Sequence, residues 1–329
     1  MHARRLGRTG YQVSEVGFGA WGIGRSEWMG ADDEDSKRAL GCALDEGVTL
    51  FDTAYAYGNG HSEQLIAEVL AERGVADQVV VTTKIPPKNL IWPGFAATPV
   101  RQVFPPRYVT EMVEASLRNL RAEAIQVEQL HVWNDAWLEA PEWGETRAAM
   151  ERLKEEGKVL HWGVSINDHA PETALGIASD PLIDAVQVIY NIFDRKPEAG
   201  LFPLAAARGF GVIVRCPFDE GALTGKIGPE TEFPRGDFRN DYFADDRRAE
   251  VARRVTALEP LLGDEAAGMP ELALRFCLAP PEVSVVIPGM RRERHVRSNA
   301  AVSDGRDLSG DLLARLQGHA WDKNFYEGL

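Results

Sequence analysis

The sequence is poor in the features that mark secreted, membrane-spanning and nucleic-acid-binding proteins. It has only 3 cysteines in 329 residues, an odd number and widely spaced, which argues against a disulfide framework and favours a reducing compartment. No apolar run approaches the roughly 18 residues of a membrane span, and no apolar stretch follows the basic N-terminus as it would in a signal peptide. The net charge of −14 argues against a nucleic-acid partner. We therefore expect a cytoplasmic protein that acts on a small molecule.

Metal-binding and common nucleotide-binding signatures are also missing. The 7 histidines are scattered, without H-x-H or H-E-x-x-H, whereas a catalytic metal needs clustered ligands. Residues 17–22 match G-x-G-x-x-G, but a Rossmann fingerprint needs a helix that opens inside the motif, and the next helix is predicted only near Asp33. Residues 221–227 place too few residues between their glycines for a Walker loop. We predict no metal site, no Rossmann domain and no Walker loop.

Short apolar runs alternate with helical patterns along the whole chain. Runs of this kind are typical of strands buried on both faces. Eight strand–helix units predict an α/β fold, a single (β/α)8 TIM barrel over residues 1–329, with an N-terminal β-hairpin ahead of it. The predicted strands are 16–19, 50–53, 79–84, 127–131, 159–165, 185–190, 212–215 and 284–287.

Two segments, 85–106 and 216–248, are too long to be plain connections. The first carries six prolines and three large aromatic residues. Loops of this length in a compact domain are usually functional lids or walls. Each follows a predicted strand, so we expect both on the C-terminal face of the barrel, where barrel enzymes build their active sites.

Four chemically active side chains stand at or just beyond the ends of three successive predicted strands. Asp52 and Tyr57 follow the strand at 50–53, Lys84 ends the next strand, and His131 ends the one after that. The ends of barrel strands open onto one face. An acid, a phenol, an ammonium and an imidazole at that face can form a proton-delivery site.

The stretches FDTAYAYGNGHSE (51–63), VTTK (81–84) and QLHVWND (129–135) contain these four residues. They resemble motifs of the aldo-keto reductase superfamily, and further motifs occur in the family's order along nearly the whole chain. The resemblance implies a barrel that binds NADP(H) across its C-terminal mouth and reduces an aldehyde or ketone with hydride from the nicotinamide. It also implies that Asp52, Tyr57, Lys84 and His131 form the catalytic tetrad. The matching stretches are GFGAWGIG (17–24), FDTAYAYGNGHSE (51–63), VTTK (81–84), QLHVWND (129–135), GVSIN (163–167), QVIYNIFDR (187–195), PFDEGALTGK (217–226) and IPG…VRSN (287–299).

The tetrad has a chemical rationale. Hydride addition to a carbonyl leaves an alkoxide that needs a proton, and a free tyrosine, with a pKa of about 10, is a poor acid near neutrality. A cation close by favours phenolate, so we expect Lys84 to lower the pKa of Tyr57, with Asp52 holding Lys84 in place. Tyr57 would act as general acid in reduction and as base in oxidation. His131 would orient the carbonyl oxygen.

The resemblance also implies a set of cofactor-binding residues. Three are expected at the nicotinamide carboxamide, two along the pyrophosphate and adenosine, three basic residues at the 2′-phosphate, and one near the adenine. Because a guanidinium fork suits a phosphate monoester, the basic cluster favours NADP(H) over NAD(H). In that order, the residues are Ser165, Asn167 and Gln187; Phe218 and Lys226; Arg291, Arg292 and His295; and Asn299.

One position departs from the family pattern. Arg215 stands where many members have an aromatic residue stacked on the nicotinamide. A guanidinium can also stack on a flat ring, or it can pair with Asp219, Glu220 or the pyrophosphate. For the substrate pocket we predict Trp21 and Trp133, since aromatic walls suit carbonyl substrates.

Two other functions remain open at this stage. The first is a nucleotide-sensing subunit that binds the cofactor with little turnover, although an intact tetrad disfavours it. The second is an NADP-dependent polyol or sugar-alcohol dehydrogenase, because the tetrad chemistry is reversible.

Overall fold

A computed structural model describes residues 1–324, which begin with the predicted hairpin. Strand β1 (Ala3–Arg5) pairs antiparallel with β2 (Gln12–Ser14). The hairpin forms a separate two-stranded sheet ahead of the main fold. Its presence confirms the sequence prediction for this segment. The prediction of one domain over residues 1–329 extends to residues 325–329, which lie outside the described part of the chain, and it stays a prediction.

The main body is a barrel of eight parallel strands, each paired with its neighbours in chain order. Parallel bridges join Val16 to Val286 and Gly19 to Gly289, so the first barrel strand lies beside the last. The predicted (β/α)8 barrel is therefore confirmed. Its strands are β3 (Phe18–Gly19), β4 (Leu50–Asp52), β5 (Val80–Ile85), β6 (Ile125–Leu130), β7 (Val159–Ser165), β8 (Ile183–Ile189), β9 (Gly211–Arg215) and β10 (Val283–Val286).

The hairpin closes the N-terminal end of the barrel. Leu6, between β1 and β2, is fully buried in an apolar cluster with early residues of the barrel strands, such as Leu50 and Val80. The chain approaches the barrel so closely that a Cβ on Gly7 would lie 2.0 Å from the backbone nitrogen of Gly211, and Gly7 has a positive φ of 49°. With this end plugged, the barrel opens at the opposite, C-terminal mouth.

Helices surround the barrel and pack apolar faces against it. α5, for example, buries Trp143, Met150 and Leu153 on one side at helical spacing. No helix within residues 1–324 is long and apolar enough to cross a lipid bilayer. The helices are α1 (Asp33–Asp45), α2 (His61–Arg73), α3 (Val100–Val103), α4 (Pro106–Leu120), α5 (Pro141–Glu155), α6 (Leu175–Ala178), α7 (Leu201–Arg208), α8 (Arg239–Tyr242), α9 (Arg247–Leu258), α10 (Met269–Leu278), α11 (Glu293–Ala300) and α12 (Gly310–Leu316).

Both long segments reach the mouth of the barrel, as predicted. The segment 85–106 contains α3 and contributes Trp92 and Pro93 to the wall of the cavity there. The segment 216–248 contains a 3-10 turn at Asp219–Thr224 and α8, and it contributes a longer stretch of the same wall. Both segments therefore form walls of the cavity, as the sequence predicts.

Candidate active site

An open cavity of about 760 Å³ lies at the C-terminal mouth, a size that suits a small-molecule site. Asp52, Tyr57 and His131 line it, while Lys84 lies behind the wall with no exposed surface. The structure thus brings the four predicted catalytic residues to one place. Strand β6 ends at Leu130, one residue earlier than predicted, so His131 stands on the first residue of the loop that follows.

Lys84 is the centre of this group. Its Nζ donates to Asp52 Oδ1 at 2.6 Å and to the Thr53 carbonyl oxygen at 2.7 Å, and it lies 3.4 Å from the Tyr57 hydroxyl oxygen. A buried ammonium is stable only when it is paired and hydrogen-bonded. Burial lowers the pKa of Lys84, and the charge of Asp52 opposes that shift.

Both oxygens of Asp52 are occupied. Asp52 Oδ2 accepts hydrogen bonds from Thr82 Oγ1 at 2.6 Å and from Gln187 Nε2 at 2.7 Å. The carboxylate is therefore fixed by two donors from β5, Lys84 and Thr82, and by one from β8, Gln187. This fixes the position of Lys84 beside Tyr57, which is the role the sequence predicted for Asp52.

The environment of Tyr57 corrects one expectation. We expected Lys84 to lower the pKa of the phenol, but the pKa of Tyr57 is raised well above its usual value. Burial is the main cause and the charge of Asp52 adds to it, while the Arg215 guanidinium acts in the opposite direction. The Asp52 carboxylate compensates the ammonium beside the phenol, so Tyr57 keeps its proton at neutral pH.

His131 completes the group as a neutral imidazole. Its ring centroid lies 5.8 Å from that of Tyr57, with the planes 74° apart. Burial lowers the pKa of His131 well below its usual value, and the positive charges of Lys84 and Arg215 add to the shift. Within residues 1–324 its Nδ1 has no hydrogen-bond partner. A neutral imidazole can donate or accept one hydrogen bond at each nitrogen without carrying charge into the cavity.

Most of the predicted cofactor residues line the same cavity. Gln187, expected at the nicotinamide, also donates to Asp52 and so joins that region to the tetrad. Arg292 differs from the rest, because it is exposed at the start of α11 and does not reach the cavity wall. Those that line the cavity are Ser165, Asn167, Gln187, Arg215, Phe218, Lys226, Arg291, His295 and Asn299.

The far end of the cavity fits the adenosine end of a dinucleotide. Asn299 is buried, and its Nδ2 has no hydrogen-bond partner in the described part of the chain. A buried amide without a partner is costly, so this atom is suited to a ligand acceptor such as a ring nitrogen. Lys226 and His295 line the same region and would supply basic groups for a phosphate.

Arg215 has a different partner from those we considered. Its guanidinium pairs with Asp168 and donates to the Ile166 carbonyl oxygen at 2.8 Å, rather than pairing with Asp219 or Glu220. Asp168 lies in the loop after β7, two residues beyond Ile166, and no local sequence pattern indicates this pairing. The ion pair holds Arg215 against the cavity wall, so it adds less net charge to the site than a free guanidinium would.

The loops that follow β3 and β9, two strands separated by β10 alone, meet above the basic end of the cavity. The Phe238 backbone amide donates to the Glu27 carbonyl at 2.9 Å, and Arg239 stacks on Trp28 with its guanidinium carbon 4.4 Å from the ring centroid. Arg291 donates to the Met29 carbonyl at 2.9 Å. Arg291 is thus held in place by this contact between the loops.

The two tryptophans predicted for the substrate pocket have different positions. Trp21 lines the cavity, 6.3 Å from Tyr57 between ring centroids. Trp133 does not, and this prediction is wrong: it is fully buried, packed against Trp143 at 4.7 Å and Trp137 at 5.4 Å. The strand ends before His131, so the alternation of side chains no longer applies at Trp133. Trp92, from the segment 85–106, lines the cavity instead.

A parallel barrel with its polar site at the C-terminal ends of the strands belongs to the large class of (β/α)8-barrel enzymes. A model of the Aldo/keto reductase family matches residues 15–320, and the chain belongs to this family. Aldo-keto reductase YhdN of Bacillus subtilis is 31% identical over 301 residues, which cover 89% of this chain and 86% of the relative.

Two further relatives bear on the reaction and the cofactor. The NADH-specific methylglyoxal reductase of Escherichia coli is 30% identical over 314 residues, 90% of this chain and 91% of the relative. The solved structure of the glycerol dehydrogenase AKR11B4 from Gluconobacter oxydans matches with a TM-score of 0.77 at 26% identity, covering 99% of this chain and 98% of that one. The protein is an oxidoreductase of a family that uses nicotinamide cofactors.

Proposed function

We propose that the protein reduces an aldehyde or ketone with NADPH and that Tyr57 delivers the proton. The observation that carries this proposal is the contact between the Tyr57 hydroxyl and Lys84 at 3.4 Å, with Asp52 closing the ion pair at 2.6 Å. These groups stand at the wall of a cavity of about 760 Å³.

When bound, the nicotinamide would supply the hydride, and the chain's own residues would orient the carbonyl and deliver the proton. The carbonyl oxygen is held between the Tyr57 hydroxyl and the neutral imidazole of His131, both of which can donate to it. As negative charge develops on that oxygen, the Tyr57 proton moves to it. Lys84 then stands beside the new phenolate and stabilises it. An alkoxide is a stronger base than an ordinary phenolate, which favours this transfer, whereas the raised pKa of Tyr57 opposes it.

NADP(H), rather than NAD(H), is the form we propose. Its support is the basic group at the far end of the cavity, namely Lys226, Arg291 and His295. Arg291 is directed by its bond to the Met29 carbonyl. Two other basic residues, Arg292 and Arg294, are exposed nearby. Competition between NADPH and NADH for the free protein, measured by fluorescence titration, tests this part, since the Escherichia coli relative is named as NADH-specific.

Oxidation of a polyol is the second candidate. It is favoured by the structural match to a protein named as a glycerol dehydrogenase. The same groups would act in reverse, with Tyr57 as the base that accepts the alcohol proton. A comparison of NADPH-dependent reduction with NADP⁺-dependent oxidation at one pH separates the two directions.

The test of the main proposal is a panel of aldehydes and ketones, followed by the loss of NADPH absorbance. Tyr57→Phe should lower kcat by about 100- to 10,000-fold and leave the dissociation constant for NADPH unchanged. Tyr11→Phe, in the hairpin at the other end of the barrel, is the matched control. Normal turnover by Tyr57→Phe would overturn the mechanism. Tight NADPH binding by the unmodified protein without turnover of any compound would favour the nucleotide-sensing alternative.

A further inference from the structure

The segment 85–106 changes from exposed to buried within a few residues beside the active site. Leu90 is 70% exposed and Trp92 is 41% exposed, whereas Pro93 and Gly94 are buried. An exposed apolar tip is usually mobile unless its backbone is tied down. The exposed tip of the segment 85–106 therefore needs backbone contacts that hold it against the mouth of the barrel.

The peptide of Gly94 is held by two asparagines from the barrel rim. The Gly94 backbone N–H donates to Asn167 Oδ1 at 2.9 Å, and the Gly94 carbonyl accepts from Asn167 Nδ2 at 3.1 Å and from Asn134 Nδ2 at 3.1 Å. Asn167 follows β7 and Asn134 follows β6, so the loop is tied to two neighbouring strand ends. We call this arrangement of Gly94, Asn134 and Asn167 the Gly94 clamp.

The clamp needs a glycine at its centre. A Cβ on Gly94 would lie 2.8 Å from Cη2 of Trp137, the indole of which is buried and cannot move aside. It would also lie 3.4 Å from Asn167 Oδ1. The close approach of backbone to indole is therefore possible only without a side chain.

Asn134 uses both of its side-chain polar atoms in this arrangement. Its Oδ1 accepts from the Ala136 backbone N–H at 3.1 Å and caps the 3-10 turn Asp135–Glu139, which carries Trp137. Its Nδ2 is the donor to Gly94. One side chain thus orders both the surface beneath Gly94 and the Gly94 peptide itself.

Two residues next to the clamp face the reaction. The Trp92 ring centroid lies 5.8 Å from that of His131, with the planes at 88°. Asn167 lines the cavity, and its amide has two hydrogens, of which Gly94 takes one. The other is left for a ligand in the cavity.

We infer that Asn134 is a positioning residue that, through the Gly94 clamp, holds Trp92 as one wall of the substrate site and so favours carbonyl compounds with a flat apolar substituent. This inference rests on the proposed function. It assigns to Asn134, which does not line the active-site cavity, a role in substrate preference. It also makes the segment 85–106 a fixed wall rather than a free loop.

The first test uses Asn134→Asp, which keeps the oxygen that caps the 3-10 turn and removes the donor to Gly94. Asn89→Asp is the matched control, because Asn89 lies on the same segment and its Oδ1 accepts from the Ile91 amide. For an aromatic aldehyde, Asn134→Asp should raise KM roughly three- to tenfold, the worth of an aromatic contact. It should leave kcat, the KM of a short aliphatic aldehyde and the Kd for NADPH unchanged.

The second test asks whether Asn134 acts through Trp92. Trp92→Ala, at an exposed site, should raise the KM of the aromatic aldehyde to the same extent, and the double variant should show no further increase. Additive effects would overturn the inference, as would equal effects of Asn134→Asp on the aromatic and aliphatic substrates.

A readout without turnover separates this inference from the proposed function. Hydrogen exchange of the peptides that contain Gly94 should speed up in Asn134→Asp and not in Asn89→Asp. Unchanged exchange would overturn the clamp whatever the enzyme reduces. If exchange speeds up but the unmodified protein reduces no carbonyl compound, the proposed function fails and the clamp stands as the anchor of the segment.

Discussion

The inner and outer faces of β5 and β6 accommodate buried ionisable side chains in opposite ways. On the inner face, Lys84 and its register partner Gln129 point into the barrel. On the outer face, Thr83 and its register partner Glu128 point towards the helices. Neighbouring residues on a strand alternate between faces, so one step along the chain separates the active-site lysine from the outer layer.

On the inner face, opposite charges meet. Lys84 and Asp52 form a close ion pair, and both are further hydrogen-bonded. On the outer face, two carboxyl groups are close enough to influence each other. Glu63 of α2 accepts from Thr83 Oγ1 at 2.6 Å and from Asn119 Nδ2 at 2.8 Å, and burial raises its pKa.

Glu128 is the extreme case on the outer face. It is fully buried, and neither of its carboxyl oxygens has a hydrogen-bond partner among residues 1–324. Burial raises the pKa of Glu128 well above its usual value, and the charge of Glu63 adds to the shift. The inner face therefore keeps its charges by pairing them, and the outer face removes a charge by protonation. Only the paired arrangement leaves a cation available for catalysis.

The largest expected effect comes from breaking the inner pair. Lys84→Met leaves Asp52 buried without its counter-ion, which should lower the free energy of unfolding by about 3–5 kcal/mol. It also removes the cation beside the Tyr57 phenolate, so kcat should fall by about 100- to 10,000-fold. Urea denaturation and steady-state kinetics measure the two losses, with the exposed Lys88→Met as control. A stable Lys84→Met variant would show that the inner pair does not compensate buried charge as described.

The second prediction concerns Glu128 and pH. Because its pKa is higher in the folded chain, the folded state binds the extra proton. Stability should therefore fall as pH rises from about the ordinary carboxyl value of 4.5 towards the raised pKa of Glu128. Glu128→Gln removes this titration. It should raise the free energy of unfolding by about 1–3 kcal/mol at pH values near 8 and leave it little changed below the ordinary carboxyl pKa.

The matched control for Glu128→Gln is Glu111→Gln on α4, where the carboxylate pairs with Arg107 at the surface. Urea midpoints across a pH series give the comparison. If Glu128→Gln and the unmodified protein lose stability in parallel as pH rises, protonation does not account for the buried Glu128.

The sequence predicts the contact between Lys84 and Asp52 on the inner face, but it does not predict the proximity of Glu128 and Glu63 on the outer face. Lys84 ends a β-branched run and Asp52 follows the apolar residues Leu50 and Phe51. Barrel geometry brings strand ends together, so the proximity of Lys84 and Asp52 could be predicted. Glu128 stands inside a strand, and nothing local shows that it will face Glu63, which is far along the chain on a helix. The same limit applies to the pairing of Arg215 with Asp168 and to Trp133, where the chain leaves the strand earlier than predicted.

A smaller effect is expected from two adjacent threonines on opposite faces. Thr82→Val removes the donor to Asp52 Oδ2 on the inner face, and Thr83→Val removes the donor to Glu63 Oε1 on the outer face. Each should lower the free energy of unfolding by about 1–2 kcal/mol, as for other buried hydrogen bonds. Only Thr82→Val should also lower kcat, because Asp52, which Thr82 holds, forms the ion pair with Lys84. A kcat loss of equal size in Thr83→Val would contradict the separation of the faces.

The smallest effect should come from Glu220. It stands at the active site, as the inner-face residues do, and its pKa is raised, as that of Glu128 is on the outer face. It lies in the cavity wall on a turn where Asp219 and Glu220 have positive φ angles of 49° and 56°, and its Oε1 accepts from the Cys216 thiol at 2.9 Å. Burial raises the pKa of Glu220 to about 7, so it changes charge within the working range.

Ionised Glu220 raises the pKa of the Tyr57 phenol further, which makes Tyr57 a weaker acid. The kcat/KM for reduction should therefore fall a few fold as pH rises through about 7, the pKa of Glu220. Glu220→Gln should remove this step and leave the activity at lower pH unchanged. If the step persists in Glu220→Gln, another group in the cavity causes it. Its loss would show that a carboxyl with a raised pKa, which on the outer face affects only stability, tunes the reaction when it stands in the cavity wall.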